Sequence, residues 1–503
     1  MRDLPFLAGE HGRGPFLVIL FFVSATVVTM WGIWEGTLPR SEEAVLVETA
    51  REILVTGNGW TMHFDGEPVH DIPPISMWAM ALSFRILGSS EFAARLPFVI
   101  FTVLTFYLVY LSGMVAGGER GSTEIWITRS RAVGLLSAIV LASSPLFGRF
   151  ATHITHGMPF AFFVSLSILA WLRLPHGRGG LFLWGVGIAG GILSTGAGGL
   201  LVIPGMLLAV IADRERRALF RKPSFIFVTL IGLFVGCFWL VWTTQQGGFS
   251  GSSLWTVFSR MFRRGAGYGL LRSIKQIWLG NLPWSIPATA ALVRIIFFRG
   301  DHRQAHGITE VDYLLLAFSA AIFVPVAMTS SNTPSALVPV LPLGALLSAR
   351  EIARWTTGSS EEVSALRIWC FNQALTAIFC LLMLLLVATP LRLHRVAIDP
   401  ITDIARMAGQ VVPEGKRIGN FRQRQRTQGA RLLFYGQRSL AAARTEPLEV
   451  VQAFEQDPDI IFLSTNQDLD ELRNSGHFPS GLRVVYRAGD LVLFSLEETE
   501  RIP

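Results

Sequence analysis

Long apolar runs recur through the first 390 positions, with short polar linkers between them. The first runs from Pro15 to about Gly36, roughly 20 residues, which is enough to cross a bilayer as a helix. Further runs near 92–116, 132–148, 157–174, 181–197, 199–213, 224–245, 277–298, 312–330, 334–349 and 369–391 bring the expected number of membrane helices to about eleven. The first run is not followed by a small-residue cleavage site, so it reads as a retained helix. Basic residues cluster in alternate linkers: Arg120, Arg129 and Arg131; Arg173 and Arg178; Arg214, Arg216, Arg217, Arg221 and Lys222; Arg299 and Arg303; Arg350, Arg354 and Arg367. All of these fall on one side if the N-terminus is cytoplasmic, as the positive-inside rule requires.

Three stretches break the pattern. Residues 37–91 form an outward loop in which Glu42 to Leu54 has helical spacing. Within it, Ile75 to Leu87 is apolar but too short to span, and reads as an interfacial helix. Residues 246–276 form a second outward loop with a dense cationic cluster of Arg260, Arg263, Arg264, Arg272 and Lys275. From about 393 to 503 the composition becomes that of a soluble domain, with strand-like runs at Ile460 to Leu463, Arg483 to Tyr486 and Leu491 to Ser495. Helix-like stretches near 400–409 and 446–456 complete a small α/β tail. The expected architecture is therefore mainly α: a polytopic membrane domain over 1–392 and an extracytoplasmic α/β domain over 393–503. A bacterial inner membrane with a periplasmic C-terminal domain suits it.

Composition sharpens this picture. Of the 503 residues, 51% are hydrophobic and 16% charged, against roughly 25% charged in soluble domains. The mean hydropathy is +0.46. A disordered chain, a coiled coil and an ordinary cytosolic enzyme are excluded. The net charge of +7 sits in linkers and not on one continuous face, so nucleic acid is not the expected partner. Cys237, Cys370 and Cys380 lie inside apolar runs as small core residues. P-loop, H-E-x-x-H and G-x-S-x-G motifs are absent from the sequence.

The first loop carries an ordered string of motifs. It contains Glu42-Glu43-Ala44, Glu48-Thr49-Ala50-Arg51-Glu52, Asp65-Gly66-Glu67-Pro68, Asp71-Ile72-Pro73-Pro74 and Glu91-Phe92-Ala93-Ala94-Arg95-Leu96-Pro97. In order and spacing this string resembles the membrane glycosyltransferases of the GT-C superfamily, in the branch of the lipid A aminoarabinose transferases and protein O-mannosyltransferases. Ser144-Pro145-Leu146, Met158-Pro159, Leu282-Pro283-Trp284 and Pro339-Val340-Leu341-Pro342 extend the likeness. The resemblance implies a sugar donor linked to polyprenyl phosphate and an acceptor lipid, glycan or protein outside the membrane. It also implies a carboxylate that takes the acceptor's proton and cations that hold the donor phosphate.

This chain departs from the family pattern at four places. Glu42 stands for the leading aspartate, and Asp71-Ile72 for a Glu-Lys pair. Gly157 stands where the family has an acid before Met-Pro, and Ser194-Thr195-Gly196 where it has Thr-Lys-Gly. The candidate catalytic residues are therefore Glu42, Glu43, Asp71 and His156, the last as a general base beside the missing acid. Arg260, Arg264 and Lys275 are the candidate phosphate ligands, and Arg260 and Arg264, four apart, share one helix face. His63, His70 and His153 could ligate a divalent metal with the nearby acids, or simply form hydrogen bonds at a wet interface. No other cofactor is implied. The alternative to an enzyme is a catalytically degenerate relative that serves as a lipid-binding or assembly subunit. Glu48 and Arg51 suit a surface i, i+3 pair, Arg95 a head-group anchor, and Trp284 either an interface anchor or a substrate contact.

Overall fold

The computed structural model describes residues 10–34, 41–117, 124–174, 178–212, 215–245, 266–297, 309–328, 334–356, 374, 400–413, 415–423, 425–477 and 481–496. In chain order its first elements are α1 (Glu10–Trp34), α2 (Ser41–Thr56), β1 (Met62–Phe64), β2 (Glu67–Val69), α3 (Pro74–Leu87), α4 (Glu91–Gly117), α5 (Glu124–Ala142), α6 (Pro145–Ala151) and α7 (Gly157–Arg173). Then come α8 (Arg178–Thr195), a 3₁₀ segment (Gly196–Leu201), α9 (Val202–Ala212), a 3₁₀ segment (Glu215–Arg221), α10 (Pro223–Gln245), α11 (Ala266–Gly280), α12 (Ser285–Phe297), α13 (Glu310–Met328), a 3₁₀ segment (Pro334–Val340) and α14 (Leu341–Trp355). The tail contains α15 (Pro400–Val411), β3 (Ile418–Phe421), α16 (Gln425–Gly436), β4 (Leu440–Arg444), α17 (Pro447–Gln456), β5 (Phe462–Thr465), α18 (Asn466–Asn474), β6 (Leu482–Ala488) and β7 (Leu491–Leu496).

The chain divides into two compact units. The first comprises Met1–Ile33, Pro73–Ser76 and Arg95–Pro390; the second comprises Trp34–Ile72, Met77–Ala94 and Leu391–Pro503. The sequence pattern assigned residues 37–91 to the membrane domain. Most of that loop instead packs with the tail, because α2 is buried nearly all round, against α16 and β1.

In the first unit, five described helices are long and apolar enough to cross a membrane, or six if one bent pair counts as a single span. The bent pair is Ser130–Ala142 with Pro145–Ala151, at 70°. Pro145 lacks the N–H that would continue the first helix, and Ser144 caps the second by accepting from Phe147 N. Two expected spans near 181–197 and 199–213 form one apolar stretch, Gly179–Ala209, broken by the 3₁₀ segment that starts at Gly196. That glycine has φ +65°, a backbone state most side chains avoid. The span expected at 277–298 starts later, at Ser285, because α11 occupies residues as far as Gly280. The expected count of about eleven is not reached among the described residues, and the run 369–391 lies almost wholly outside them.

A buried ion network joins four elements of this unit. Asp312, at the start of α13, accepts from Arg350 Nε at 3.0 Å, Arg354 Nη2 at 2.6 Å and the Thr309 amide at 2.8 Å. Arg350 also donates to the Ala116 carbonyl at the end of α4. Glu351 accepts from Arg354 at 3.2 Å and from Arg294 of α12 at 3.0 Å.

In the second unit the sheet order is β4-β3-β5-β7-β6. Strands β3, β4 and β5 are parallel, and β5, β7 and β6 pair antiparallel. Period-2 alternation gives each sheet face its own core. Ile418, Leu463 and Leu493 pack with Ile401, Ile404, Ala405 and Ala408 of α15 on one face. Phe421, Phe462 and Phe494 pack with Val450 and Phe454 of α17 and Leu469 of α18 on the other. Arg438 is buried and donates to the Val412, Gly409 and Gly436 carbonyls, and so satisfies the C-terminal ends of α15 and α16.

Candidate active site

In the second unit the part of the motif string from Glu42 to Ile72 is built around α2. Glu43, Glu48 and Glu52 are all buried, at 1%, 0% and 7% exposure. Glu48 and Glu52, four apart, share a helix face; Glu43 lies about half a turn away from Glu52. Arg51 holds Glu48 in a bidentate pair, Nη2 to Oε1 at 2.6 Å and Nε to Oε2 at 2.9 Å. Far from a surface pair, Glu48 has no exposed side-chain area. Burial pushes its carboxyl above the usual range, with Arg51 opposing and Glu52 and Asp65 adding to the rise.

The Asp65-Gly66 motif is the turn of the β1–β2 hairpin. Both residues have positive φ, 56° and 78°, which a two-residue hairpin of the I′ kind requires. Glu52 grips this turn: Oε1 accepts from the Asp65 amide at 2.6 Å and Oε2 from the Gly66 amide at 3.2 Å. Asp65 is itself raised by burial, with Arg417 lowering it and Glu52 and Glu67 raising it. Asp71 is exposed at the bend before α3. Ile72, in the place of the family's lysine, is an apolar core residue at 5% exposure, so the cation has been replaced by packing. The backbone of Glu42 lies in α2, and its side chain falls outside the described residues.

In the first unit, His156 is the N-cap of α7, without a side-chain capping bond. Its Nδ1 is 3.2 Å from the hydroxyl of Ser76, a fully buried residue that the sequence pattern did not single out. Beside it, a Cβ on Gly157 would lie 2.2 Å from the Ser335 carbonyl oxygen. The missing acid thus has a steric cause: no side chain fits here without moving backbone. Trp284 is a tie between elements, since its Nε1 donates to Ser143 Oγ at 3.0 Å and its carbonyl accepts from Ser348 at 2.9 Å. Arg95 is buried at 4% exposure and is not a surface anchor.

Lys275 is exposed on α11 beside exposed Arg272. Arg260 and Arg264 lie outside the described residues, and so does the clamp expected of them. Among the described residues no group of three His, Cys, Asp or Glu side chains is placed to hold a metal ion. His63, His70 and His153 are therefore not brought together as a described metal site. Nδ1 of both His63 and His70 is buried without a hydrogen-bond partner among the described residues. His153 instead stands edge-on to the Phe150 ring, 6.2 Å between centroids.

Comparison with known proteins bears on this arrangement. Residues 71–242 match the family model for dolichyl-phosphate-mannose-protein mannosyltransferases. An uncharacterized protein of Aquifex aeolicus is 24% identical over 227 residues, covering 45% of this chain and 43% of that protein. The undecaprenyl phosphate-alpha-4-amino-4-deoxy-L-arabinose arabinosyl transferase 1 of Pseudomonas fluorescens is 24% identical over 396 residues, covering 76% of this chain and 65% of that protein. The chain thus spans less than two thirds of the length of either curated relative. ArnT from Cupriavidus metallidurans, solved bound to undecaprenyl phosphate, superposes with a TM-score of 0.72 at 16% identity, covering 97% of this chain and 99% of that one. In its fold along nearly the whole chain, and in the motifs of its first loop, the protein resembles the GT-C membrane glycosyltransferases of the aminoarabinose and protein-mannosyl branch.

Proposed function

We propose that the protein is a multi-pass glycosyltransferase of a bacterial inner membrane, moving a sugar from a polyprenyl-phosphate donor to an extracytoplasmic lipid, glycan or protein acceptor. The observation that carries this reading is the gathering, within the part of the motif string from Glu43 to Gly66, of three buried acids on α2 and a hairpin turn gripped by one of them. Burying an acid is costly unless it is paired or hydrogen-bonded, and perturbed buried acids cluster at functional sites. The likeness to an ArnT that holds undecaprenyl phosphate supports the donor class.

In the transfer, the bond from the anomeric carbon to the phosphate oxygen breaks, and its electron pair stays on that oxygen. The acceptor oxygen or nitrogen forms the new bond and gives its proton to a carboxylate, from which water later takes it. Glu42 is assigned that base role, with Glu43 and Asp71 ordering the acceptor side. Negative charge in the first loop also suits the positive charge that grows on the sugar ring. Arg260, Arg264 and Lys275 are assigned to the phosphate, where charge-assisted hydrogen bonds are strongest. The lipid tail stays in the bilayer, at about 0.8 kcal/mol per buried CH₂.

Native mass spectrometry of the detergent-purified protein tests the donor class. The expected result is saturable retention of undecaprenyl phosphate, weakened in an Arg260→Ala/Arg264→Ala double variant. Equal retention of undecaprenol, which lacks the phosphate, would count against the assignment. Specific binding without turnover on any polyprenyl-linked sugar would favour a degenerate, lipid-binding subunit.

A further inference from the structure

Helix α11 (Ala266–Gly280) presents apolar and cationic side chains on one exposed arc. Leu271, Ile274 and Trp278 are 69%, 46% and 43% exposed, and Arg272 and Lys275 are exposed beside them. At 100° per residue the three apolar side chains fall within about 60° of arc. Lys275 and Arg272 follow on one flank, with Leu279 between them. The opposite face is buried: Ser273 lies there, and a Cβ on Gly280 would meet Leu146 of α6 at 3.1 Å. The exposed arc is thus divided lengthwise into an apolar strip and a strip that bears the cations.

Neither water nor the bilayer interior suits such an arc. A strip of large apolar side chains is unfavourable in water. The 15 residues of α11 give a length of ~22 Å, against a hydrocarbon core of about 30 Å. Two cations in mid-helix are also costly inside that core. In keeping with this, α11 is not among the described helices long and apolar enough to cross a membrane. A helix with an apolar strip, a tryptophan and flanking cations is stable in the plane of the interface. Its apolar side chains then enter the acyl boundary and its cations lie among the head groups. Charge selects which head groups. The sequence has no acid between Glu215 and Asp301, an interval that includes Arg260, Arg263, Arg264, Arg272 and Lys275. No carboxylate of the segment neutralises these cations, so lipids of net negative charge complement them.

We propose that α11 is an in-plane docking helix for anionic phospholipid, with Leu271, Ile274 and Trp278 in the acyl boundary and Arg272 on the head-group phosphate. Lys275 stands between Arg272 and the apolar strip, where a head group or the donor's phosphate reaches it; Arg272 is the cation committed to the bilayer. The surface goes beyond the transferase reading and holds equally for a degenerate relative.

Two measurements on the full-length protein test it. The first is ¹⁹F NMR of protein labelled with 5-fluorotryptophan in lipid nanodiscs, where Trp278→Phe identifies the Trp278 signal. That signal should broaden most with a nitroxide at the top of the acyl chain, and less with one at the chain end or with a gadolinium chelate in water. Strongest broadening by the chelate would place the helix in water, and by the chain-end nitroxide across the bilayer; either overturns the proposal. The second is native mass spectrometry of delipidated protein offered phosphatidylglycerol or phosphatidylcholine. The wild type should retain phosphatidylglycerol preferentially. Arg272→Gln should lower that retention by about fivefold, the effect of one cation at an anionic surface, and leave retention of phosphatidylcholine and of undecaprenyl phosphate unchanged. Equal retention of the two phospholipids by the wild type overturns the proposal. So does a loss in Arg272→Gln that falls at least as heavily on undecaprenyl phosphate, which would make Arg272 a donor ligand. A phosphatidylglycerol preference that follows Arg272 in a protein that transfers no sugar leaves the surface standing and removes the transferase reading instead.

Discussion

Asp312 and Glu48 are both carboxylates with no exposed side-chain area, one in each compact unit, and their surroundings differ in kind. Asp312 receives two guanidinium groups, a backbone amide and the Thr309 hydroxyl. Its partners come from α14 and from the turn leading into α13, so neutralisation and helix tying are the same act. Glu48 receives one guanidinium, from its own helix, and burial still lifts its carboxyl above the ordinary range. A saturated acid is a structural clamp, because no capacity remains for a substrate. An acid that its partner only partly offsets is held in a state a reaction can use. The comparison separates a scaffold at one set of helix ends from the chemistry proposed for α2.

The largest effect that would break this contrast is loss of Asp312. Asp312→Ala leaves Arg350 buried and Arg354 half-buried without their shared acid, and breaking a buried pair in this way costs about 3–5 kcal/mol. Thermal unfolding in detergent should show a large fall in Tm; a shift within the scatter of surface variants would mean the network is not a clamp. Next comes Glu52→Gln. The amide keeps one acceptor but loses the charge that holds the Asp65 and Gly66 amides, a loss of about 1–3 kcal/mol confined to one hairpin. Hydrogen exchange should rise at residues 62–69 and stay unchanged in the sheet of the tail. The smallest effect concerns pH. Glu48 and Asp65 are raised in the folded state, so the folded protein binds more protons than the unfolded one just above their ordinary values of 4.5 and 3.8. Their contribution to stability is present below those values and is lost as pH rises toward the folded ones. Melting curves from pH 4 upward should show Glu48→Gln lacking part of that decline; an identical slope would remove the distinction drawn for Glu48.

Much of this molecule was legible in its sequence where a local rule decided the outcome. Asp65-Gly66, read only as part of the motif string, is also a local turn signal and forms the β1–β2 hairpin turn. Helical spacing from Glu42 to Leu54 became α2, and the short apolar run from Ile75 became α3. The strand-like runs of the tail became β5, β6 and β7. What escaped was decided by approach between distant segments. Gly157 read as a lost acid, whereas the Ser335 carbonyl, far along the chain, leaves room for nothing else. Arg350 and Arg354 read as orientation charges in a linker, yet they fold inward onto Asp312. The i, i+4 spacing of the two arginines on one face, opposite an acid opening an apolar run, was a signal that could have found the network. Ser76 left no such trace, since only the arrival of His156 gives it meaning.

The most direct measurement is the release of undecaprenyl phosphate from an undecaprenyl-phosphate-linked sugar by purified protein in proteoliposomes containing extracted envelope acceptors. The wild type should release the lipid phosphate in step with acceptor glycosylation, and Glu42→Gln, folded to the same Tm, should release none above background. Undiminished release by Glu42→Gln would contradict the proposed placement of the chemistry on α2.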